Sequence, residues 1–341
     1  MTHLHQSSSE QTIRTSQRNI CASQRNICIV QSGGMAGDLA QDLERLLHLF
    51  AEAAAPGTGP RPDLVVFPEL CNTPYFGATG NDAYKLWAEP LDGPTLTAFR
   101  QAAREHGTAV VLGFYEAGAD GALYNSGAVI EADGTLVHGT GLDGRTVPAY
   151  RKTSIPQSLL ADVPIDEKHF FAEGSGPAVF EVAGMRIAPL ICYDRTFPEY
   201  WLGARALGAD VVVPLVSSLG SREKLFLQEL QVRALETQTW VLAANRGGPE
   251  TLDGRTVDYF GLSCVVDPFG DLVDHLPAHH HDDLLRTDID LDAVPQARAA
   301  FPLGRDRRPD LLEQAARRFA AEPVGAAALA GPALADSAAL A

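Results

Sequence analysis

RIAPLICYDRTFPEYWLGARAL, residues 186–207, is an apolar run that stops at Cys192, turns through Tyr193-Asp194-Arg195 and resumes behind Pro198. Arg186 to Cys192 reads as a buried strand. Pro198 to Leu207 reads as a helix, since the fixed φ of proline suits a first helical position. Outward from there, Asp210 to Leu215 is a second strand, Lys224 to Thr237 a second helix and Trp240 to Ala244 a third strand. Strands with helices between them point to an α/β protein of packed layers.

The N-terminal half repeats this rhythm. Ile27-Cys28-Ile29-Val30 is a strand, and Asp38 to Ala55 places Leu39, Leu43, Leu46, Leu47 and Phe50 at helical spacing. Asp63 to Phe67 is a buried-type strand, Thr95 to His106 a helix and Ala109 to Tyr115 a strand. Leu123 to Glu131 and Thr135 to His138 are expected to form an antiparallel pair across the Asp133-Gly134 turn. Together these elements predict an α/β fold, a layered sandwich in a single domain, here bounded at residues 25–315.

The flanks differ in composition. Residues 1–24 are polar and are expected to form a mobile arm, in which Ser16 to Cys21 recurs as Ser23 to Cys28. Only the second copy runs into a strand, so the first is read as duplicated leader. Residues 316–341 are rich in alanine, expected to be disordered or to pack on a partner subunit.

The 341 residues carry 27 Lys plus Arg against 43 Asp plus Glu, a formal charge of -16, and no basic patch stands out. A polyanion would be repelled, so no nucleic-acid partner is expected. Apolar runs such as Val211 to Val216 are far shorter than the roughly 20 residues that cross a bilayer, so no membrane partner is expected. The first 20 residues lack the apolar core of a secretory signal, which points to the cytoplasm. Five cysteines at 21, 28, 71, 192 and 264, an odd number without paired metal spacings, read as reduced thiols.

Three apolar segments end abruptly in a reactive side chain: Leu64 to Glu69, Tyr150-Arg151-Lys152, and Ile187 to Arg195. Strand ends at a sheet edge are where a rigid scaffold presents chemistry. Cys192 sits on a strand-turn-helix elbow, where a helix N-terminus and a nearby cation are expected to favour the thiolate. A cysteine alone is more often a buried structural residue, but the polar flanks weigh against that here. Glu69, after three apolar residues and a proline, is placed for desolvation toward a useful base; a solvated loop acid is the plainer alternative. Lys152 is one of four lysines among 27 basic residues, though a surface ion pair would also account for it.

Taken in order, Phe67-Pro68-Glu69, Tyr150-Arg151-Lys152 and Ile191-Cys-Tyr-Asp-Arg-x-Phe-Pro-Glu199 resemble the nitrilase (carbon-nitrogen hydrolase) superfamily, in its N-carbamoyl amine and amino acid amidohydrolase branch. Tyr124-Asn125-Ser126, Ala244-Asn245-Arg246, Gly261 to Ser263 and Arg305 to Pro309 match as supporting segments. The resemblance implies an αββα sandwich of the nitrilase type that pairs with a second copy as a homodimer or larger homo-oligomer. It also implies a catalytic triad carried here by Glu69, Lys152 and Cys192, with the backbone N–H of Tyr193 and Lys152 stabilising an oxyanion. A second glutamate near the lysine falls on Glu167, with Glu173 as fallback. No metal or cofactor is implied. Arg195 and Asn245 are the substrate-binding candidates, Arg195 being apt for a substrate carboxylate. The bland alternative for Arg195 is an ion pair with Asp194 or Glu199. The expected substrate is a small carbamoyl amine or amino acid. A simple amide is next and a nitrile third, because Cys-Tyr-Asp stands where typical nitrilases have Cys-Trp-Glu; a non-catalytic scaffold is the other class of reading.

Two other stretches invite functional readings and are set aside. His279-His280-His281 could suggest a metal, but three adjacent rings cannot all face one ion in an extended chain. Gly33 to Gly37 suggests a phosphate cradle but lacks the Gly-Lys-Ser/Thr ending, and reads as a loop at the active-site rim. Cys71 and Cys264 are assigned to packing.

Overall fold

The computed structural model describes residues 23–57, 59–160 and 163–321. The leader copy of the repeat and the last twenty residues of the alanine-rich tail lie outside the described residues. Contacts divide the chain into two compact units, one ending at Ala297 and the other beginning at Arg298.

The first unit opens with β1 (Gln24–Gln31) and α1 (Leu39–Ala54). Asp38 caps α1, its Oδ1 accepting from the amides of Ala40 and Gln41 at 3.2 Å. β2 (Leu64–Val66), α2 (Pro94–His106), β3 (Ala109–Ala117) and β4 (Leu123–Ile130) follow. Pro94 starts α2, and Gly107, left-handed at φ 59°, ends it. Short strands β5 (Gly139–Gly141), β6 (Thr146–Val147) and β7 (Tyr150–Arg151) lead to the hairpin β8 (Gln157–Leu160) and β9 (Val163–Asp166). The second half runs β10 (Ala178–Val182), β11 (Met185–Ile191), α3 (Pro198–Ala206), β12 (Val211–Val216), α4 (Glu223–Thr237) and β13 (Trp240–Asn245). It closes with the hairpin β14 (Gly247–Leu252) and β15 (Arg255–Phe260), then β16 (Cys264–Val266), β17 (Leu272–His275), β18 (Asp283–Asp290) and α5 (Ala293–Ala300).

Two sheets result, with strand orders β18-β1-β2-β3-β4-β7 and β17-β16-β13-β12-β11-β10-β5-β6. Each has three parallel strands at its centre, β1-β2-β3 in one and β11-β12-β13 in the other, and antiparallel strands outside them. The period of two along a strand sorts the side chains into layers. Ile27, Ile29, Leu64 and Val66 point into the core shared with Ile187, Ile191, Val211 and Val213 of the other sheet. Cys28, Val30, Val65 and Phe67 point the other way, onto Leu46, Phe50, Leu96 and Phe99 of α1 and α2. Trp201 of α3 and Phe226 and Leu230 of α4 belong to the first core, which makes the unit an αββα sandwich.

The expected pairing of residues 135–138 with β4 forms but is short. β4 lies along β3 from Val110↔Ile130 to Ala117↔Leu123, and residues 135–138 join its other edge through the antiparallel bridge Ile130↔Leu136, with Val137 N donating to Val129 O at 2.8 Å. The Asp133-Gly134 turn does form, with Glu131 N donating to Thr135 O at 2.9 Å. Further along that edge β7 pairs at Ser126↔Arg151, and after the bridge the chain enters the second sheet as β5.

In the second unit, α6 (Leu303–Asp306) and the amphipathic α7 (Pro309–Ala321) are exposed helices with surface ion pairs such as Arg308 to Asp310 at 2.7 Å.

Candidate active site

Glu69, Lys152 and Cys192 each stand just beyond a strand's C-terminal end, those of β2, β7 and β11. The Glu69 turn is built by close backbone approach. Phe67 N donates to Val111 O at 2.8 Å, Gly113 N to Pro68 O at 3.1 Å and Cys71 N to Gly113 O at 2.9 Å. A Cβ on Gly113 would lie 2.6 Å from Glu69 Cα, so no larger residue fits there. Leu70 takes φ 45°. The Glu69 carbonyl accepts from Ser217 Oγ at 3.1 Å and Arg246 Nε at 3.3 Å, and Arg246 is held by Glu250 at 2.8 Å. Glu69 Oε1 accepts from Asn125 Nδ2 at 2.7 Å and Lys152 Nζ at 2.9 Å, while Oε2 is buried and carries no hydrogen bond.

Lys152 is fully buried, and its main chain is tied at both ends, N to Asn125 O and O from Gly174 N, each 2.8 Å. Its Nζ also donates to Glu167 Oε2 at 2.6 Å, and Glu167 Oε1 accepts from the Tyr75 hydroxyl at 2.7 Å. Burial alone would lower the lysine pKa, but the Glu167 and Glu69 carboxylates outweigh it and hold the ammonium well above its usual range. Burial raises Glu167 against the opposing pull of Lys152. The rings of Phe76, Tyr115, Phe170 and Phe171 pack beside this cluster, with Phe76 4.8 Å from both Tyr115 and Phe170, and keep it dry.

Cys192 opens a 3-10 turn, residues Cys192–Thr196, at φ 45°. Its Sγ is 3.8 Å from Ser218 Oγ and 3.9 Å from Arg195 Nη1. Burial, then the Glu69 charge, push the thiol up to about 11 against the pull of Lys152 and Arg195, which reverses the thiolate expected from the elbow. Desolvation outweighs the cation because that cation already faces two carboxylates. The resting group is a thiol, and attack requires a base. Alkylation of Cys192 by iodoacetamide should therefore accelerate about tenfold per pH unit from 7 to 9 without levelling. A plateau below pH 9, read by intact mass against time, would contradict the burial argument.

Asp194 ties the elbow to the lysine loop. It accepts from the Tyr150 hydroxyl and the Ser154 amide, both at 2.7 Å, and burial raises its carboxyl to about 6. Sequence reasoning offered Asp194 only as an ion-pair partner for Arg195. The arginine instead donates from Nη1 to Cys192 O at 2.8 Å, sets Nε 3.4 Å from Glu229, and lies over the Phe226 ring at 5.2 Å. With 2% of its surface exposed, Arg195 shapes the elbow and lines the cavity from beneath. Asn245 is corrected more fully. Its side chain accepts from Ser218 N at 2.9 Å and donates to Gly261 O at 2.7 Å, so it holds the Ser217-Ser218 turn and does not line the cavity. Glu173, the fallback, is exposed away from the cluster, whereas Glu167 is in it. Asn125 and Arg246 stood only in supporting segments with no role of their own, and Tyr75 and Glu250 went unassigned, since nothing local in their sequence marks them as neighbours of the Glu69 turn.

The features set aside behave as packing chemistry predicts. The amides of Gly33, Met35 and Ala36 are taken by Asp282, Glu250 and Asp42, which fills the loop's donors with the protein's own carboxylates. His279 pairs with Asp258 at 3.1 Å, and among the described residues no group of three or more His, Cys, Asp or Glu is arranged to hold a metal ion. Cys71 belongs to the layer under α1 and α2, and Cys264 to the apolar core built on the second sheet. No helix among the described residues is long and apolar enough to cross a membrane.

Cys192 opens onto a cavity of about 130 Å³, lined also by Tyr75, Glu167, Tyr193, Ser218 and Arg222. This volume admits a small acyl group with a short tail. Comparison with known proteins agrees with the geometry. Residues 24–299 match the family described as Carbon-nitrogen hydrolase. The chain is 32% identical over 280 residues to an (R)-stereoselective amidase of a Pseudomonas species, covering 82% of this chain and 90% of that one. It is 31% identical over 289 residues to an N-carbamoylputrescine amidase of Oryza sativa subsp. japonica, covering 80% and 89%. The crystal structure of a carbon-nitrogen hydrolase from Helicobacter pylori G27 superposes with a TM-score of 0.72 at 22% identity, over 84% of this chain and 96% of that one, a likeness of fold.

Proposed function

The chain belongs to the carbon-nitrogen hydrolase family and hydrolyses non-peptide carbon-nitrogen bonds of small molecules, and from that premise we propose that it cleaves an N-carbamoyl amine or amino acid. The products are the free amine, CO2 and ammonia. The observation that carries the reading is one dry ammonium, Lys152 Nζ, 2.9 Å from Glu69 and 2.6 Å from Glu167, beside a cysteine open to a small cavity.

Glu69 Oε2, the oxygen without a hydrogen bond, takes the Sγ proton as sulfur attacks the carbonyl carbon. Lys152 and the Tyr193 backbone N–H stabilise the oxyanion, a task suited to fixed charge in a dry site. The carbon-nitrogen bond breaks, and the departing nitrogen takes the proton from Glu69. Water, giving its proton to the same carboxylate, then attacks the carbonyl of the S-carbamoyl intermediate, and sulfur leaves as the thiol with that proton returned. A carbamate released this way loses CO2. Glu167 keeps Lys152 charged and placed.

An amide hydrolysed to acid and ammonia uses the same steps, and the Pseudomonas relative named as an amidase supports it as the second reading. A homo-oligomer is supported by the exposed apolar Leu225, Val232 and Leu235 on α4. Ammonia release from carbamoyl amino acids, carbamoyl amines, aliphatic amides and nitriles tests the substrate. The carbamoyl compounds should show kcat/KM at least tenfold above the amides and nitriles. The reverse ranking gives the site to amides, and no turnover of any compound would leave a scaffold.

A further inference from the structure

We propose that Arg222 recognises a carboxylate on the substrate tail at the mouth of the Cys192 cavity, the task that sequence reasoning gave to Arg195; this rests on the hydrolase reading above. Arg195 is unsuited to it. Its guanidinium is buried, donates from Nη1 to the Cys192 carbonyl and sets Nε 3.4 Å from Glu229, so its charge is already met by the elbow and by one of the protein's own carboxylates. Arg222, on the turn Gly220–Arg222 between β12 and α4, lines the same cavity with its side chain 34% exposed. Its hydrogen bonds all use Nη2, to Thr196 Oγ1 at 2.9 Å and to the Glu229 carboxylate at 3.4 Å. Among the described residues Nε and Nη1 carry no hydrogen bond, which leaves Nη1 to meet a carboxylate end-on through one charge-assisted bond.

Charge points the same way. At the mouth, Arg195 and Arg222 share the single carboxylate of Glu229, which leaves one formal positive charge. At the floor, Lys152 lies between Glu69 and Glu167, which leaves one formal negative charge. A substrate with a neutral carbamoyl or amide head and an anionic tail is therefore oriented head inward and tail toward Arg222. The chain as a whole carries -16, so an anionic substrate needs such a local cation to enter.

The test uses two matched pairs: an N-carbamoyl amino acid with the N-carbamoyl alkylamine of equal length, and an ω-amido acid with the corresponding alkyl amide. The parent should favour the carboxylate member of whichever pair it hydrolyses. In Arg222→Gln the carboxylate-to-neutral ratio of kcat/KM should fall about 10- to 100-fold, carried by KM, and Arg222→Lys should restore part of it. A ratio unchanged in Arg222→Gln, or a parent that prefers the neutral member, overturns the proposal. Turnover of the amide pair alone overturns the carbamoyl reading while the Arg222 ratio is still read, and turnover of neither pair overturns both.

Discussion

Cys192→Ala should lower hydrolysis by about 10⁴-fold or more while leaving the melting temperature close to that of the parent. The loss is large because no other group can substitute. Ser218 Oγ is 3.8 Å from Sγ, yet among the described residues it is hydrogen-bonded to no carboxylate that would take its proton. The fold should tolerate the change because alanine has the same backbone cost at φ 45° as cysteine and removes only one atom bordering a cavity. Cys192→Ser should lie near the alanine variant, since a hydroxyl is harder to deprotonate than a thiol. Intact-mass spectrometry of the parent during turnover should show an acyl adduct that both variants lack. Residual activity within tenfold of the parent in the alanine variant would remove sulfur from the mechanism.

Lys152→Met should abolish turnover and also destabilise the protein by about 3–5 kcal/mol, because it strands two carboxylates in a dry site. The melting temperature should fall by roughly 6–15 °C. The pH dependence distinguishes this cause from a simple packing defect. Glu167 is already raised by burial, and loss of the lysine removes the main influence holding it down. A carboxyl whose folded pKa exceeds its unfolded value binds its proton more tightly when folded, so the variant gains stability as pH falls through the folded value. The deficit should thus be largest at alkaline pH and shrink toward pH 5. Adding Glu167→Gln should recover part of the stability at neutral pH without restoring turnover. A pH-independent deficit would show that packing, rather than charge, is what Lys152 supplies.

The elements legible in the sequence were those whose signal is local. Helical spacing and Asp38 mark α1, Pro94 marks α2, and the β-type runs mark the parallel strands of both sheets. The antiparallel pairing of residues 135–138 with β4 was legible from the Asp133-Gly134 turn, but its length, a single bridge at Ile130↔Leu136, was not, because a turn signal carries no information about where the chain goes next. At the site, Glu69, Lys152 and Cys192 stood out because each ends a strand abruptly. Asn245 was placed on the substrate through its segment, but an amide's direction depends on partners such as Ser218 and Gly261. The thiolate was expected from neighbours along the chain, whereas burial by groups remote in sequence raises the thiol.

Residue order and type alone determined the alternation of strands and helices and the layered sandwich, which follow from periodicity and chain breaks within a few residues; they singled out the side chains at the ends of β2, β7 and β11, whose joint role was implied by the family resemblance. Only the tertiary structure decided which carboxylate oxygen is left without a hydrogen bond, that Asp194 joins the elbow to the lysine loop, and that Arg195 faces inward while Arg222 lines the mouth. Those outcomes depend on distances and desolvation among groups tens to more than a hundred residues apart, which pattern along a chain does not encode.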